Sequence, residues 1–124
     1  MEAALQLVID HVSARYAFNR PLGSFQAIQH RLAMAAETAE STRWLARRAA
    51  WSDAEEDAAL AAGFAQTRVA QFTYDLHQFV GAMGLTLEFP LHLWTYRLRA
   101  LVGELGGASV QGREVARLRW GAAA

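Results

Sequence analysis

The sequence contains no cysteine, only two prolines and no long uninterrupted hydrophobic run. Without cysteine it forms no disulfide, thiolate metal site or thiol nucleophile, and we expect a reducing compartment, the cytoplasm. No apolar run approaches the roughly 20 residues of a membrane-spanning helix, and Glu2 and Asp10 interrupt the first apolar stretch, unlike a signal peptide. Twelve basic and twelve acidic residues cancel, so no attraction to nucleic acid or to a membrane surface is expected.

The remaining signal is helical. With 124 residues, 53% of them hydrophobic, the chain predicts one domain, 1–124, with a core of its own. Apolar residues recur every third or fourth position, and no segment alternates in the manner of a strand. The sequence therefore predicts an all-α fold, an antiparallel up-and-down four-helix bundle with a short extra C-terminal helix.

Turn and capping residues set the predicted boundaries. The first helix covers residues 2–16, and Phe18 to Gly23 is predicted to be a turn. Ser24 is expected to cap a second helix that ends near Trp51. Ser52 or Asp53 is expected to cap a third helix that ends at the joint 81–84. A fourth helix is expected over 90–104, a break at 106–107, and a fifth helix over 109–120. Arg43, Arg47 and Arg48 are typical of a solvated helix face.

The joint between the third and fourth helices, residues 78–92, has two readings. Glycine permits a positive φ and the close approach of another group, and a helix end leaves carbonyls without partners. Pro90 suits the first turn of the next helix. The joint is therefore either a plain connection between helices or a place where a ligand meets the backbone.

Two segments resemble a known family. Residues 4–33 (ALQLVIDHVSARYAFNRPLGSFQAIQHRLA) resemble the opening of the C-terminal helical domain of acyl-CoA dehydrogenases, in which a helix ends in an R-x-Q-F-G-R-P-I turn and S-F-Q-A-I-x-H-x-L-A begins the next. Residues 78–99 (QFVGAMGLTLEFPLHLWTYRLR) resemble the Q-x-x-G-G-x-G-x-T-x-E joint of the same domain. The two motifs stand in family order, and the branch most similar contains heteromeric subunits that act on steroid and other bulky CoA thioesters.

The resemblance implies flavin contact. In the family, the turn arginine and the joint glutamine and glycine reach the ADP half of FAD bound by a neighbouring subunit. Those positions are Arg15, Gln78 and Gly81 here, while Asn19 and Ala82 replace two motif glycines. A guanidinium pairs well with phosphate oxygens, and Asn tolerates left-handed backbone conformations. The family's amino-terminal helical and middle β domains, which hold most of the flavin, have no counterpart in the resemblance.

The family reaction needs a carboxylate that removes a proton α to the acyl-CoA thioester. In many members the base lies nine positions after the arginine that matches Arg97, and this position is Gly106; other members place it on the first helix of the domain, well before the residue that matches Arg15. Glu104 lies two residues earlier, and two helical residues turn a side chain through roughly 200°. We therefore expect no catalytic residue in this chain, a solvated Glu104, and no FAD retention or activity by the chain alone.

The four histidines, His11, His30, His77 and His92, include no E-x-x-H pair, so a metal-binding bundle is the weakest hypothesis and no metal ligand is assigned. His30 and His92 match family histidines and are expected to be structural. The leading hypothesis is a stand-alone or truncated acyl-CoA dehydrogenase C-terminal domain, in a homo-oligomer or as a heteromeric partner subunit that meets acyl-CoA only in the complex. The alternative is a non-enzymatic helical oligomerisation or interaction module.

Overall fold

The computed structural model describes residues 1–121, and five α-helices form nearly all of that part of the chain. The helices are α1 (Glu2–Ala14), α2 (Gln26–Ser52), α3 (Glu55–Val80), α4 (Leu91–Gly103) and α5 (Gly107–Trp120). Short 3₁₀ turns lie at Leu22–Ser24, Gly81–Leu85 and Glu104–Gly106. The predicted all-α class, with its four-helix bundle and additional C-terminal helix, is confirmed.

Cross-helix contacts define the antiparallel order. Arg31 near the start of α2 binds Asp75 near the end of α3, and Arg48 near the end of α2 binds Asp57 at the start of α3. The ring of His11, near the end of α1, lies edge-on to that of Phe89, just before α4. Neighbouring helices therefore alternate in direction, as in an up-and-down bundle.

The main core occupies one half of the bundle. It contains the buried side chains of α1 together with inward residues of α2, α3 and the start of α4: Ala4, Leu5, Val8, Val12, Ala35, Ala39, Phe72, Leu76, Phe79, Val80 and Leu91. Small alanines on α2 let the helices approach closely, while leucine and phenylalanine of α3 fill the centre. Burying one such large side chain stabilises the fold by about 1.5–3 kcal/mol.

The fifth helix is longer than the sequence predicts. It begins at Gly107, two residues before the expected start, and its 14 residues slightly exceed the 13 of α1 and of α4. It runs antiparallel to α3, since a Cβ at Gly63 would lie 3.1 Å from Cβ of Gln111 and Arg119 binds Glu56. Together α4 and α5 form one bent arm along the whole of α3.

Two predicted helix caps are wrong. Ser24 lies in a 3₁₀ turn, where its hydroxyl donates to the carbonyl of Pro21 at 2.7 Å, and α2 begins after Phe25. Neither Ser52 nor Asp53 is the N-cap of α3, because α2 extends through Ser52 and Asp53 takes the left-handed conformation that ends it. The N-cap is Ala54, whose amide donates to the Ser52 hydroxyl at 3.3 Å.

The turn after α1 contains a small hairpin that the sequence did not predict. Strands β1 (Tyr16–Ala17) and β2 (Arg20–Pro21) pair around Phe18 and Asn19, which have φ of +53° and +61°. Positive φ at both central residues is the geometry of a type I′ hairpin turn. Asn19 therefore adopts the left-handed conformation that asparagine is expected to tolerate.

Candidate functional site

The candidate site lies where the hairpin and the start of α2 meet the end of α3. A pocket of 420 Å³ is lined there by residues of both regions: Leu22, Ala27, Ile28, Arg31, Gln78, Phe79, Val80 and Gly81. Two of the three residues singled out in the sequence, Gln78 and Gly81, thus face the same space. They stand at the last turn and the end of α3.

Gly81 is required by its backbone conformation. Its φ of +67° and ψ of −145° end α3, and no atom lies within 4 Å of the position a Cβ would take. Only glycine adopts such a conformation without strain, and the open space leaves its backbone accessible. Ala82 has a negative φ within the following 3₁₀ turn, so the motif glycine it replaces is not needed for the fold here.

Gly84 is the buried glycine of the joint. A Cβ there would lie 3.2 Å from Cβ of Val80 and 3.3 Å from Nδ1 of His77. The joint can therefore fold tightly against the last turns of α3 because no side chain intervenes.

Arg15 adjoins this pocket through its backbone. It is exposed and ends α1 in an extended conformation, with its amide donating to the carbonyl of His11 at 2.9 Å. Its own carbonyl accepts the amide of Leu22 at 2.7 Å, and Leu22 lines the pocket. Arg15 itself is not among the residues that line the pocket.

Arg31 is a pocket residue that the sequence reasoning missed. Its guanidinium binds Asp75 and lies 5.6 Å from the ring centre of Phe79. Asp75 is buried and also accepts from the amide of Gln71 at 2.9 Å. The signal was present in the sequence, because Asp75 sits among the apolar positions Phe72, Leu76 and Phe79 of α3, and a buried carboxylate needs a cationic or hydrogen-bonding partner.

The histidines have separate structural surroundings. Nε2 of His77 lies 3.0 Å from the Thr95 hydroxyl, and Nδ1 of His92 lies 3.1 Å from the carbonyl of Phe89. Burial lowers the pKa of His77, and the charge of Arg99 lowers it further. Burial also lowers the pKa of His11, with Arg15 as a second cause, while His30 is exposed on α2. Within residues 1–121 no cluster of three metal-ligating side chains occurs.

The position that matches the family base lies at the bend between α4 and α5. Leu105, Gly106 and Gly107 have φ of +56°, +82° and +78° in succession. A Cβ at Gly106 would lie 2.9 Å from the Val110 side chain. Glu104 is exposed, and its carbonyl accepts from the Gln66 amide at 2.9 Å. The bend therefore has no carboxylate at its tip and is shaped for glycine.

The arginine cluster on α2 is more structured than the sequence suggests. Arg43 binds Glu40 at 2.5 Å and Glu2 at 3.3 Å, so it connects α2 to the start of α1. Arg48 binds Asp57 at 2.9 Å across the α2–α3 turn. All three arginines are exposed, as expected of a solvated face, and the guanidinium of Arg47 lies over the Trp44 ring.

The fold is an all-α helical bundle, and comparison with known proteins identifies the family. The profile described as "Acyl-CoA dehydrogenase, C-terminal domain" matches residues 1–118. The chain belongs to the acyl-CoA dehydrogenase family and corresponds to its C-terminal domain. Among residues 1–121 no helix combines the length and apolar character needed to cross a membrane.

Individual relatives agree with this assignment. Acyl-CoA dehydrogenase FadE27 of Mycobacterium tuberculosis is 31% identical over 133 residues, which cover 94% of this chain and 35% of FadE27. The structure of the ChsE4–ChsE5 complex from the same organism is similar with a TM-score of 0.89 and 29% identity, over 96% of this chain and 34% of that one. The structure of the glutaryl-coenzyme A dehydrogenase complex with glutaryl-CoA is similar with a TM-score of 0.89 and 25% identity. The match covers 97% of this chain and 32% of that one. The chain thus spans about a third of the length of these relatives.

Proposed function

We propose that this chain serves as the C-terminal helical domain of an acyl-CoA dehydrogenase-like flavoprotein, an enzyme that oxidises an acyl-CoA thioester between its α and β carbons with FAD. In this role Arg15, Gln78 and Gly81 contact the ADP half of FAD held by a neighbouring subunit. The observation that carries the proposal is the pocket at the end of α3, where the exposed Gln78 and the open backbone of Gly81 meet beside Arg31.

The chemistry of the pocket suits that half of the cofactor. An amide side chain both donates and accepts, so Gln78 can bond to ribose hydroxyls or phosphate oxygens. The Gly81 backbone is approachable because no side chain covers it. Arg31, which lines the pocket, and Arg15, whose carbonyl binds the amide of the pocket residue Leu22, supply guanidinium groups, which pair with phosphate oxygens in charge-assisted hydrogen bonds. Bound FAD would accept the hydride, and these residues would hold and orient it.

The chain contributes no catalytic base in this proposal. Gly106 stands at the family position, and the exposed Glu104 lies at the end of α4 rather than at the tip of the bend. The base and most of the flavin site then lie outside these 124 residues, and this stretch serves as part of a non-catalytic partner within a heteromer or as a domain of a homo-oligomer. The assembly of ChsE4 with ChsE5, a structure of the same domain fold, supports this arrangement.

Flavin retention tests the proposal. The chain is co-expressed with a polypeptide that carries the amino-terminal helical and middle β domains of an acyl-CoA dehydrogenase, and the FAD affinity of the purified complex is measured by flavin absorbance. Arg15→Ala should weaken FAD binding by about 1.5–3 kcal/mol, the range for a hydrogen bond to a charged group. Helical content should stay unchanged, because the Arg15 side chain is exposed.

Arg113→Ala is the matched control, since Arg113 is exposed on α5 and away from the pocket. Arg43 is unsuitable because it joins α1 to α2. Equal FAD affinity in the Arg15 variant, the Arg113 variant and the parent complex would contradict the proposed contact. It would favour the second candidate, a non-enzymatic oligomerisation module, which the exposed Trp51, Leu85 and Leu87 also support.

A further inference from the structure

Arg31 of α2 gives the pocket at the end of α3 its charge. It is the only residue with an ionisable side chain among those that line the pocket, and Gln78 has the only other polar side chain there. None of the motif positions Arg15, Gln78 and Gly81 places a charge among the lining residues. A mostly apolar pocket with a single cationic group is suited to a ligand that carries an anionic group on an otherwise uncharged body.

The carboxylate that balances this charge lies outside the pocket. Asp75 is buried and is not among the lining residues. Its Oδ1 atom accepts a hydrogen bond from Nη2 of Arg31 and another, at 2.9 Å, from Nε2 of Gln71. The carboxylate therefore holds one edge of the guanidinium without occupying the space that a ligand would take.

The ion pair leaves most donors of the guanidinium free. An arginine side chain has five N–H donors in a fixed plane. The bond to Asp75 starts from Nη2, and within residues 1–121 the Arg31 side chain makes no other hydrogen bond. The side chain of Arg31 is 38% exposed, whereas that of Asp75 is 8% exposed. Donors on Nε and Nη1 therefore remain available to a ligand.

Two aromatic rings restrict the guanidinium further. The ring centres of Tyr74 and Phe79 lie 5.8 Å and 5.6 Å from Cζ of Arg31, close enough for cation–π attraction. Tyr74, Asp75 and Phe79 all belong to the last turns of α3, so the end of one helix positions an arginine of another. A side chain that is already held in place loses less conformational entropy when a ligand binds.

We infer that Arg31 binds a phosphate oxygen of an ADP-containing ligand from inside the pocket, and that Asp75 is the positioning residue that fixes the guanidinium for this contact. A planar guanidinium matches two phosphate oxygens at once, and Gln78 and Gly81 face the same space. The inference rests on the proposed function for the identity of the ligand as FAD. The positioning by Asp75 follows from the ion pair, the free donors and the two rings.

The FAD affinity of the co-expressed complex tests Arg31. Arg31→Met removes the charge and should weaken FAD binding about 10- to 150-fold, the factor for hydrogen bonds to a charged group. Arg31→Lys keeps the charge without the planar fork, so its affinity should lie between that of Arg31→Met and that of the parent. Arg47→Met, exposed on the same helix and outside the pocket, is the control and should retain parental affinity. Parental affinity in Arg31→Met together with weakened binding in Arg15→Ala would overturn the inference and leave the proposed function standing.

A double-mutant cycle tests Asp75. Asp75→Asn should weaken FAD binding several-fold in the parent complex, because the guanidinium is no longer fixed. In the Arg31→Met background the same substitution should leave FAD affinity unchanged or raise it, since it then removes only the repulsion between carboxylate and phosphate. An equal loss of affinity in both backgrounds would mean that Asp75 acts on the fold and not through Arg31. That result, or no loss in the parent complex, would overturn the positioning role.

Arginine side-chain NMR of the chain alone distinguishes phosphate binding from adenine binding. ADP and adenosine are the probes at equal millimolar concentration, and the Arg31 guanidinium resonance is identified by its loss in Arg31→Met. ADP should shift this resonance, whereas adenosine should not. A shift with both probes, or with neither, would overturn the inference. A shift with ADP alone, in a chain whose complex retains no FAD, would contradict the proposed function and still support Arg31 as a phosphate-binding residue.

Discussion

At Gly106, where the resemblance leads us to expect the family base, the backbone geometry disfavours any side chain. The left-handed φ and the 2.9 Å approach to Val110 leave no room for a side chain. A left-handed conformation costs a residue with a Cβ about 1–2 kcal/mol, and displacing Val110 adds to that cost. Reinstating the family base would therefore need a change of the whole bend, not of one residue.

Gly106→Glu is expected to lower the free energy of unfolding by about 1–3 kcal/mol and to add no acyl-CoA dehydrogenation beyond that of the parent co-expressed complex. Urea denaturation and a dye-reduction assay measure the two effects. Gly103→Glu is the control, since Gly103 has a φ of −81° and open space at its Cβ position. Its stability should stay within about 1 kcal/mol of the parent. Dehydrogenation above the parental rate in the Gly106 variant, or parental stability, would contradict this interpretation of the bend.

Individual site residues were predictable from the sequence to different degrees. Gly81 and the left-handed Asn19 belong to motifs, and local turn chemistry implies their conformations. Arg31 was missed because its role depends on Asp75, 44 residues away in the chain. Periodicity identifies a charged residue on a buried face, but it does not identify the partner on another helix.

Among the elements, α3 and α4 are joined by a polar contact inside an apolar interface. Nε2 of His77 lies 3.0 Å from the hydroxyl of Thr95, which is buried. The pKa of His77 is lowered chiefly by burial, so the folded protein holds the neutral ring. The unfolded chain binds the proton near the ordinary histidine pKa of about 6.5. Between these two pKa values the unfolded state carries more protons, and stability rises with pH.

The free energy of unfolding is therefore expected to fall as pH decreases below about 6.5. Denaturant titrations across the histidine range measure this slope. His77→Gln should make it shallower, with a remainder from His11, whose pKa is also lowered. The exposed His30 on α2 provides the control, and His30→Gln should retain the parental slope. A parental slope in the His77 variant would mean that the ring is not the group that titrates.

The sequence predicts where the helices lie more accurately than it predicts the residues at which they begin and end. The apolar spacing and the glycine-containing joint determine where α3 stops, and the observed end at Val80 agrees. The N-caps predicted at Ser24 and Ser52 are wrong because the N-cap position depends on the direction from which the preceding segment approaches the helix. Tertiary contacts determine that direction. The hairpin was missed because two-residue strands are too short to show alternation.

At the scale of the molecule, apolar surface remains on both ends of the bundle. Leu85 and Leu87 at the α3–α4 joint are 81% and 83% exposed, and Trp51 at the opposite end is 88% exposed. Monomeric proteins rarely leave such side chains together at one surface. The joint carries the proposed flavin contacts, so its leucines are the ones we expect another subunit to cover.

The isolated chain is accordingly expected to be at least a dimer at micromolar concentration, measured by light scattering. Burying a leucine contributes about 1.5–3 kcal/mol, so the double variant Leu85→Lys, Leu87→Lys should shift the equilibrium towards monomer by two orders of magnitude or more, about 3 kcal/mol at the least. Trp51→Lys, which changes the opposite end, is the control and should remain associated. A parent chain that is monomeric at this concentration would contradict the expectation, and a monomer produced only by Trp51→Lys would move the association surface to the other end of the bundle.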